Sequence, residues 1–411
     1  MGSLVERYDA LFIDLDGVVY RGDRPVAGAV QALPEIRGQG ARILFLTNNS
    51  SRTPDEVAGK LEGLGVAARS DEVLTSGVAT ASMLRREGGR GRTAFVIGER
   101  GIREALEHAG VRILDGEADR ADLVVVGWDR SVDYPKLRTA ALLVQRGARL
   151  VATNADASYP APDGLWPGAG AILAAVTTTT GATPTVIGKP ARPLFEEAAD
   201  LTGAVHPLVI GDRLDTDVSG AQGAGWDSLL VFTGASRPPD LLHAEHLPTY
   251  VGDDLAAVLR GPAPARFRRA GPADVPGIRA LLGSAGLSAA GVERRLNDTV
   301  VCDERAEGDD GEVVATACLQ GIEGFGILRS VAVREDHRGL GLGMLAVAAA
   351  VRTTRDRGLG HVSLFTEGAE GFFEKVGFRR SERADLPEPV RTSEHAAEEC
   401  AASATPMTLT P

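Results

Sequence analysis

Two aspartates two residues apart, Asp14 and Asp16, stand where a short apolar run gives out, in Ala10-Leu-Phe-Ile-Asp-Leu-Asp-Gly17. Leu11, Phe12 and Ile13 read as a strand buried on both faces, as in the middle of a parallel sheet. Strands of that kind deliver ligand chemistry at their carboxyl ends. Two carboxylates so close repel unless a proton or a cation lies between them. A donor set made only of oxygen suits Mg2+. Asp-Gly after a strand is equally a turn signal, so the pair gains weight only from partners elsewhere in the chain.

Three such partners occur in order. Leu44-Phe-Leu-Thr-Asn-Asn-Ser50 is again an apolar run, ending in a hydroxyl and amides before a helix that begins near Thr53. A helix start offers free N–H groups to an anion, so Thr47 and Asn48 would cradle phosphoryl oxygens, although they would serve as an N-cap cluster equally well. Thr185-Val-Ile-Gly-Lys-Pro190 sets Lys189 behind a small apolar strand, where it would neutralise a phosphoryl group and Asp14. A solvated surface lysine is the plain alternative. Leu208-Val-Ile-Gly-Asp-Arg-Leu-Asp-Thr-Asp217 ends a buried strand at Asp212 and carries Asp217 into the first turn of a helix. Asp212 would complete the oxygen shell of the metal, Asp217 would orient it from behind, and Asp215 is the better helix cap.

Four motifs, each at the end of an expected strand, resemble the haloacid dehalogenase (HAD) superfamily of aspartate-nucleophile phosphotransferases. The resemblance implies that Asp14 attacks phosphorus and that Asp16 protonates the leaving alcohol and later deprotonates water. Mg2+ would be held by Asp14, the backbone carbonyl of Asp16, and Asp212. An Asp at position 16 favours phosphoester hydrolysis over dehalogenation, which has no leaving alcohol to protonate.

The elements that must position these groups alternate. A strand to Asp14 is followed by a helix near Ala29–Arg37, a strand Arg42–Thr47 and a helix Pro54–Leu64, which implies right-handed βαβ units. Further strands at Ala94–Gly98, Leu123–Gly127 and Leu150–Asn154, with helices Gly101–Ala109 and Tyr134–Arg146, precede Lys189. They read as an inserted α/β cap, as in NagD-like phosphatases. Asn154, Asp156 and the loop Pro167–Gly170 are its candidate substrate contacts, with Asp156 equally placed to cap a loop. A large cap favours small phosphorylated metabolites over phosphoproteins. The resemblance to NagD-like enzymes implies glycerol 3-phosphate, 2-phosphoglycolate and sugar phosphates as candidates, the first favoured because Gly211–Asp217, with the C-terminal extension, resembles the glycerol-3-phosphate phosphatases.

A second informative stretch is Ile327-Leu-Arg-Ser-Val-Ala-Val-Arg-Glu-Asp-His-Arg-Gly-Leu-Gly-Leu-Gly343. Glycines at a helix start let backbone N–H groups close around a pyrophosphate. With Gly368–Phe378 it resembles the GNAT acetyltransferases, which implies acetyl-CoA at Val333, Arg338, Gly339, Leu340, Gly341 and Gly343. Phe373 stands where many of these enzymes carry a tyrosine general acid. Acetylation of a small amine, or a ligand-sensing role without turnover, are the other readings of this part.

The fold class is therefore α/β: a Rossmann-like parallel sheet (residues 1–90 and 186–260) with an inserted cap (91–185). A linker (261–265), an α+β acetyltransferase-like domain (266–386) and a tail (387–411) complete the chain. The stretch from Ser381 reads as partly disordered. With 411 residues, 44% apolar and 24% charged, the chain has the composition of a soluble multidomain protein. A net charge of −12 argues against nucleic acid as a partner. Cys302, Cys318 and Cys400 form no close pair, which points to a reducing cytoplasm. No apolar run is long enough to span a membrane, and a homodimer is allowed.

Overall fold

The apolar run before Asp14 becomes β1 (Ala10–Asp14), whose first four residues are buried. The structure, a computed structural model, describes residues 2–161, 163–261, 264–303, 312–396 and 403–410. Its contacts divide the chain into two compact units, one of Gly2–Gly234 with Asp254–Arg260, the other of Ala235–Asp253 with Gly261–Pro411.

In the first unit a small hairpin, β2 (Tyr20–Arg21) and β3 (Arg24–Pro25), follows β1, and β4 (Ile43–Thr47) and β5 (Val73–Thr75) come next. The chain then builds a second sheet from β6 (Thr93–Ile97), β7 (Arg112–Leu114), β8 (Leu123–Val126) and β9 (Arg149–Ala152). An antiparallel flap, β10 (Ser158–Ala161) and β11 (Gly164–Pro167), leads to β12 (Thr185–Val186), which closes that sheet in the order β12-β9-β8-β6-β7. The chain returns through β13 (Pro207–Gly211) and β14 (Asp227–Val231) to the first sheet, ordered β14-β13-β1-β4-β5. Both sheets pair in parallel throughout. The strands are near-continuous apolar runs because helices cover both faces. The helices expected at 29–37, 54–64, 101–109 and 134–146 run Ala27–Gly38, Pro54–Gly63, Arg100–His108 and Tyr134–Gln145. The flap has no counterpart among the expected elements.

Parallel pairing puts the carboxyl ends of β1, β4 and β13 side by side, so Asp14, Thr47 and Asp212 issue from one edge. The helix after β4 starts with a reciprocal cap: Thr53 Oγ1 accepts from the Glu56 N–H at 3.2 Å, and Glu56 accepts from the Thr53 N–H at 2.9 Å.

The second unit contributes β15 (Tyr250–Gly252) and a seven-stranded sheet. That sheet comprises β16 (Arg268–Arg269), β17 (Thr299–Asp303), β18 (Val313–Ile322), β19 (Phe325–Val333), β20 (Val362–Thr366), β21 (Arg379–Arg380) and β22 (Thr405–Leu409). Its order is β16-β17-β18-β19-β20-β22-β21. Pairing is antiparallel except between β19 and β20, which run parallel over Gly326 and Ile327 only. The long helix is Leu342–Arg357. Part of the stretch read as disordered is ordered: β22 lies between β20 and β21, with Pro406, Met407 and Leu409 buried. Residues 262–263 of the expected linker, and Cys400 with its neighbours, lie outside the described residues. Cys302 and Cys318 are free and buried.

Thr53→Ala removes the hydroxyl half of the reciprocal cap. It should lower unfolding free energy by about 1 kcal/mol, read from denaturant midpoints.

Candidate active site

The site forms where three loops leave the edge shared by β1, β4 and β13. Asp14, Asp212 and Asp217 each offer a carboxylate oxygen within 4.8 Å of the others, and all three are buried. Lys189 is 4% exposed; its Nζ donates to Asp217 Oδ1 at 2.6 Å and also to Asp14 Oδ1. Burial alone would depress the Lys189 ammonium, but the two carboxylates outweigh it and hold it charged, above its ordinary range. The Asp14 pKa is raised as well, which for a carboxyl favours the neutral form. Burial raises its pKa, Asp217 and Asp212 add to the rise, and Lys189 opposes it.

Close packing at glycines makes this cluster possible. Gly17 has φ +89°, and a Cβ there would stand 2.3 Å from Asp212 Oδ2. A Cβ at Gly211 would fall 2.1 Å from Asp217 Cγ, and one at Gly234 would fall 1.8 Å from Asp212 Oδ2. Asp217 is also fixed from its own loop, accepting from the Arg213 N–H at 3.2 Å. Arg213 in turn forks onto Asp215 at 3.0 and 2.6 Å, so Asp215 holds an arginine rather than capping a helix.

Three buried carboxylates against one ammonium leave an excess of negative charge in a space ringed by oxygen donors. That donor set fits Mg2+, which prefers carboxylate oxygens. Asp16 is not among the gathered carboxylates. Burial raises its pKa, while Lys60 and Arg21 pull it down.

Thr47 Oγ1 accepts from the Asn49 N–H at 3.1 Å. The Asn48 side-chain amide bonds the backbone of Lys189 and the carboxylate of Asp156. Asn154 donates to the Asn48 carbonyl at 2.7 Å and accepts from the Asp156 N–H at 3.1 Å, so it braces the loops. Burial raises the Asp156 carboxyl, against Asn48, Arg213 and Lys189.

Groups around Asp16 escaped the sequence reading. Lys60 lies 3.7 Å over the Tyr20 ring. Burial and Arg52 lower its pKa, while Asp16 and Asp23 support its charge. Tyr159, on the flap, stacks on Trp128 with ring centroids 4.1 Å apart, and both Asp16 and Arg52 act on it electrostatically. None of these sits in a run of distinctive spacing. Only the fold brings them to one mouth.

In the second unit, Arg338 Nε donates to the Val333 carbonyl at 3.1 Å. Gly339 and Gly341 have φ of 74° and 83°, which bend the chain into the helix that begins at Leu342. Leu340 lies between them, and a Cβ at Gly343 would stand 3.2 Å from the Phe372 ring. Phe373 is buried edge-on to Phe372 and Phe378, a packing residue with no acidic proton.

Residues 11–112 match the haloacid dehalogenase-like hydrolase family, 186–258 a further HAD-hydrolase-like family, and 293–378 the acetyltransferase (GNAT) family. The chain is 41% identical over 260 residues to a D-glycerol 3-phosphate phosphatase of Mycobacterium tuberculosis, covering 63% of this chain and 73% of that protein. The chain belongs to the haloacid dehalogenase-like hydrolases. Over 253 residues this hydrolase is also 36% identical to a 5'-nucleotidase of Bacillus subtilis, covering 61% of this chain and 97% of that one. Among solved structures it resembles a glycerol phosphate phosphatase from Mycobacterium tuberculosis in complex with magnesium, with TM-score 0.72 and 32% identity, over 92% of this chain and 99% of that one. NagD from E. coli matches with TM-score 0.56 and 31% identity, over 61% of this chain and 97% of that one. No helix among the described residues is long and apolar enough to cross a membrane.

In this hydrolase Gly17→Ala should push Asp212 out of the cluster. Turnover should fall by about 100-fold while far-ultraviolet circular dichroism stays native.

Proposed function

We propose that the first unit is a Mg2+-dependent phosphatase of small phosphorylated metabolites, with glycerol 3-phosphate the favoured substrate. One observation carries this reading: Lys189 is buried between Asp14 and Asp217, with Asp212 beside them. A lysine held charged in that position serves an anion that arrives next to Asp14. Residues 1–90 and 186–260 act as the core and 91–185 as the cap.

An Asp14 carboxylate oxygen attacks phosphorus, and the bond from phosphorus to the leaving oxygen breaks. Asp16 gives its proton to that oxygen, releasing an alcohol and leaving an aspartyl-phosphate on Asp14. Asp16, now ionised, takes a proton from water. The water oxygen bonds phosphorus, inorganic phosphate departs and Asp14 is restored. Burial raises the pKa of Asp16, which helps it hold the proton it must donate. Lys189 and the loop after Thr47 stabilise charge on the transferring group. Asp14, Asp212 and the Asp16 carbonyl, with Asp217 behind them, would hold Mg2+, which would supply Lewis-acid neutralisation of that group. Tyr159, Arg52 and Lys60 line the leaving-group side, which suits a short polyol that offers hydroxyls to donors and acceptors. The resemblance to a glycerol 3-phosphate phosphatase across both units supports that choice.

The second unit binds acetyl-CoA at Val333, Arg338, Gly339, Leu340, Gly341 and Gly343 in this reading, and a cytoplasmic setting accords with the free, buried Cys302 and Cys318. Titration calorimetry with acetyl-CoA should give saturable heat; a flat titration removes the acetyl-CoA assignment. Binding without transfer to a panel of small amines identifies a sensor.

A panel of phosphoesters tests the phosphatase. Hydrolysis should be abolished by EDTA and restored by Mg2+. Asp14→Asn should lower kcat by at least about 1,000-fold, whereas activity within about tenfold of the parent contradicts a nucleophilic Asp14.

A further inference from the structure

We propose that Asn48 is a positioning residue that holds Lys189 in register with the cap, acting through the lysine backbone. A neutral side-chain amide has two N–H donors and one carbonyl oxygen. Asn48 uses all of them. Its Oδ1 accepts from the Lys189 N–H at 2.8 Å, and its Nδ2 donates to the Lys189 carbonyl at 3.0 Å and to Asp156 Oδ2 at 3.0 Å. The reverse amide orientation would set oxygen against a carbonyl and a carboxylate, so the network itself fixes which atom is nitrogen. One side chain thus grips both backbone polar groups of the lysine and, with the same nitrogen, a carboxylate from the loop after β9.

Asn48 is itself clamped. Its carbonyl accepts from Asn154 Nδ2 at 2.7 Å and from Ser76 Oγ at 2.6 Å. Nearby, Ser50 Oγ and Thr153 Oγ1 lie 2.9 Å apart, both fully buried, and the Gly188 N–H donates to the Thr153 carbonyl at 2.7 Å. A Cβ at Gly188 would stand 2.6 Å from Asn48 Oδ1, so the lysine loop reaches the amide only because that residue is bare. The loops after β4, β9 and β12 therefore meet in one partly buried polar knot with Asn48 at its centre. Buried hydrogen bonds of this kind are costly to leave half made.

At the far end of the lysine, the ammonium sits between Asp14 and Asp217. A displacement of about 1 Å at such a group can cost about 100-fold in rate. Alanine at position 48 frees both the N–H and the carbonyl of Lys189. Aspartate keeps one acceptor, loses both donors and places a carboxylate beside that of Asp156. The kinetic consequences rest on the phosphatase reading; the structural ones do not.

The experiment is a cycle of Asn48→Ala, Lys189→Ala and the pair, with p-nitrophenyl phosphate and Mg2+. Asn48→Ala alone should lower kcat by about 30- to 100-fold. In the Lys189→Ala background it should cost less than about threefold, because its route of action is already gone. Multiplying effects, or a single-variant loss under about threefold, overturns the proposal. Asn48→Asp should be rescued at least about tenfold by adding Asp156→Asn, which returns an amide donor to the pair. Absence of rescue contradicts the link to the cap. Hydrogen exchange of the Lys189 amide should accelerate in Asn48→Ala while the β1 and β13 amides stay protected, and unchanged exchange at Lys189 contradicts the grip on its backbone. If the parent protein hydrolyses no phosphoester, the phosphatase reading fails and this exchange measurement still decides the role of Asn48.

Discussion

A lysine ammonium removed from water is the constraint around which the first unit is arranged. Lys189 is 4% exposed and Asp217 1%, so neither charge is solvated as it would be on the surface. Burying such a pair is costly unless geometry and further hydrogen bonds compensate. Here the ammonium has two carboxylates in direct contact, and the cluster still carries more negative than positive charge. That surplus of buried carboxylate would suit a divalent cation.

Positioning at this scale comes from backbone more than from side chains. Parallel β1, β4 and β13 bring three loops to one edge. Glycines at 17, 211 and 234 then let carboxylates approach where any side chain would collide. The second sheet adds what the core motifs lack. Its loops carry Asn154 and Asp156, which hydrogen-bond the loop of Asn48, and the flap carries Tyr159, which stacks on Trp128.

The core and its motif residues are legible in the sequence because buried parallel strands are unbroken apolar runs that stop at the functional residue. Asp14, Lys189, Asp212 and Asp217 can be named on that basis, and the structure brings them together. For Asn48 the sequence suggests a phosphoryl contact, and the structure adds a brace between loops that the sequence does not announce. An amide at a strand end looks the same whether it faces solvent or a neighbouring loop, and only tertiary pairing decides. Asp215 reads as a cap for the same reason, whereas it pairs with Arg213. The flap Ser158–Pro167 leaves no signal because its strands, with two prolines and a glycine, lack an alternating apolar pattern. Lys60, Tyr20 and Tyr159 converge from three separate elements and carry no shared motif. In the second unit β22 follows an Ala- and Ser-rich stretch whose composition resembles a tail, yet β20 and β21 leave it a slot.

The most direct test is to trap the phosphate on the protein. Rapid quenching during turnover of glycerol 3-phosphate with Mg2+, followed by borohydride reduction and peptide mass spectrometry, should find Asp14 converted to homoserine. The mark of an acyl phosphate should appear at that position. Turnover with Asp14 unmodified, or homoserine at Asp16 or Asp212 instead, would contradict a nucleophilic carboxylate at the end of β1.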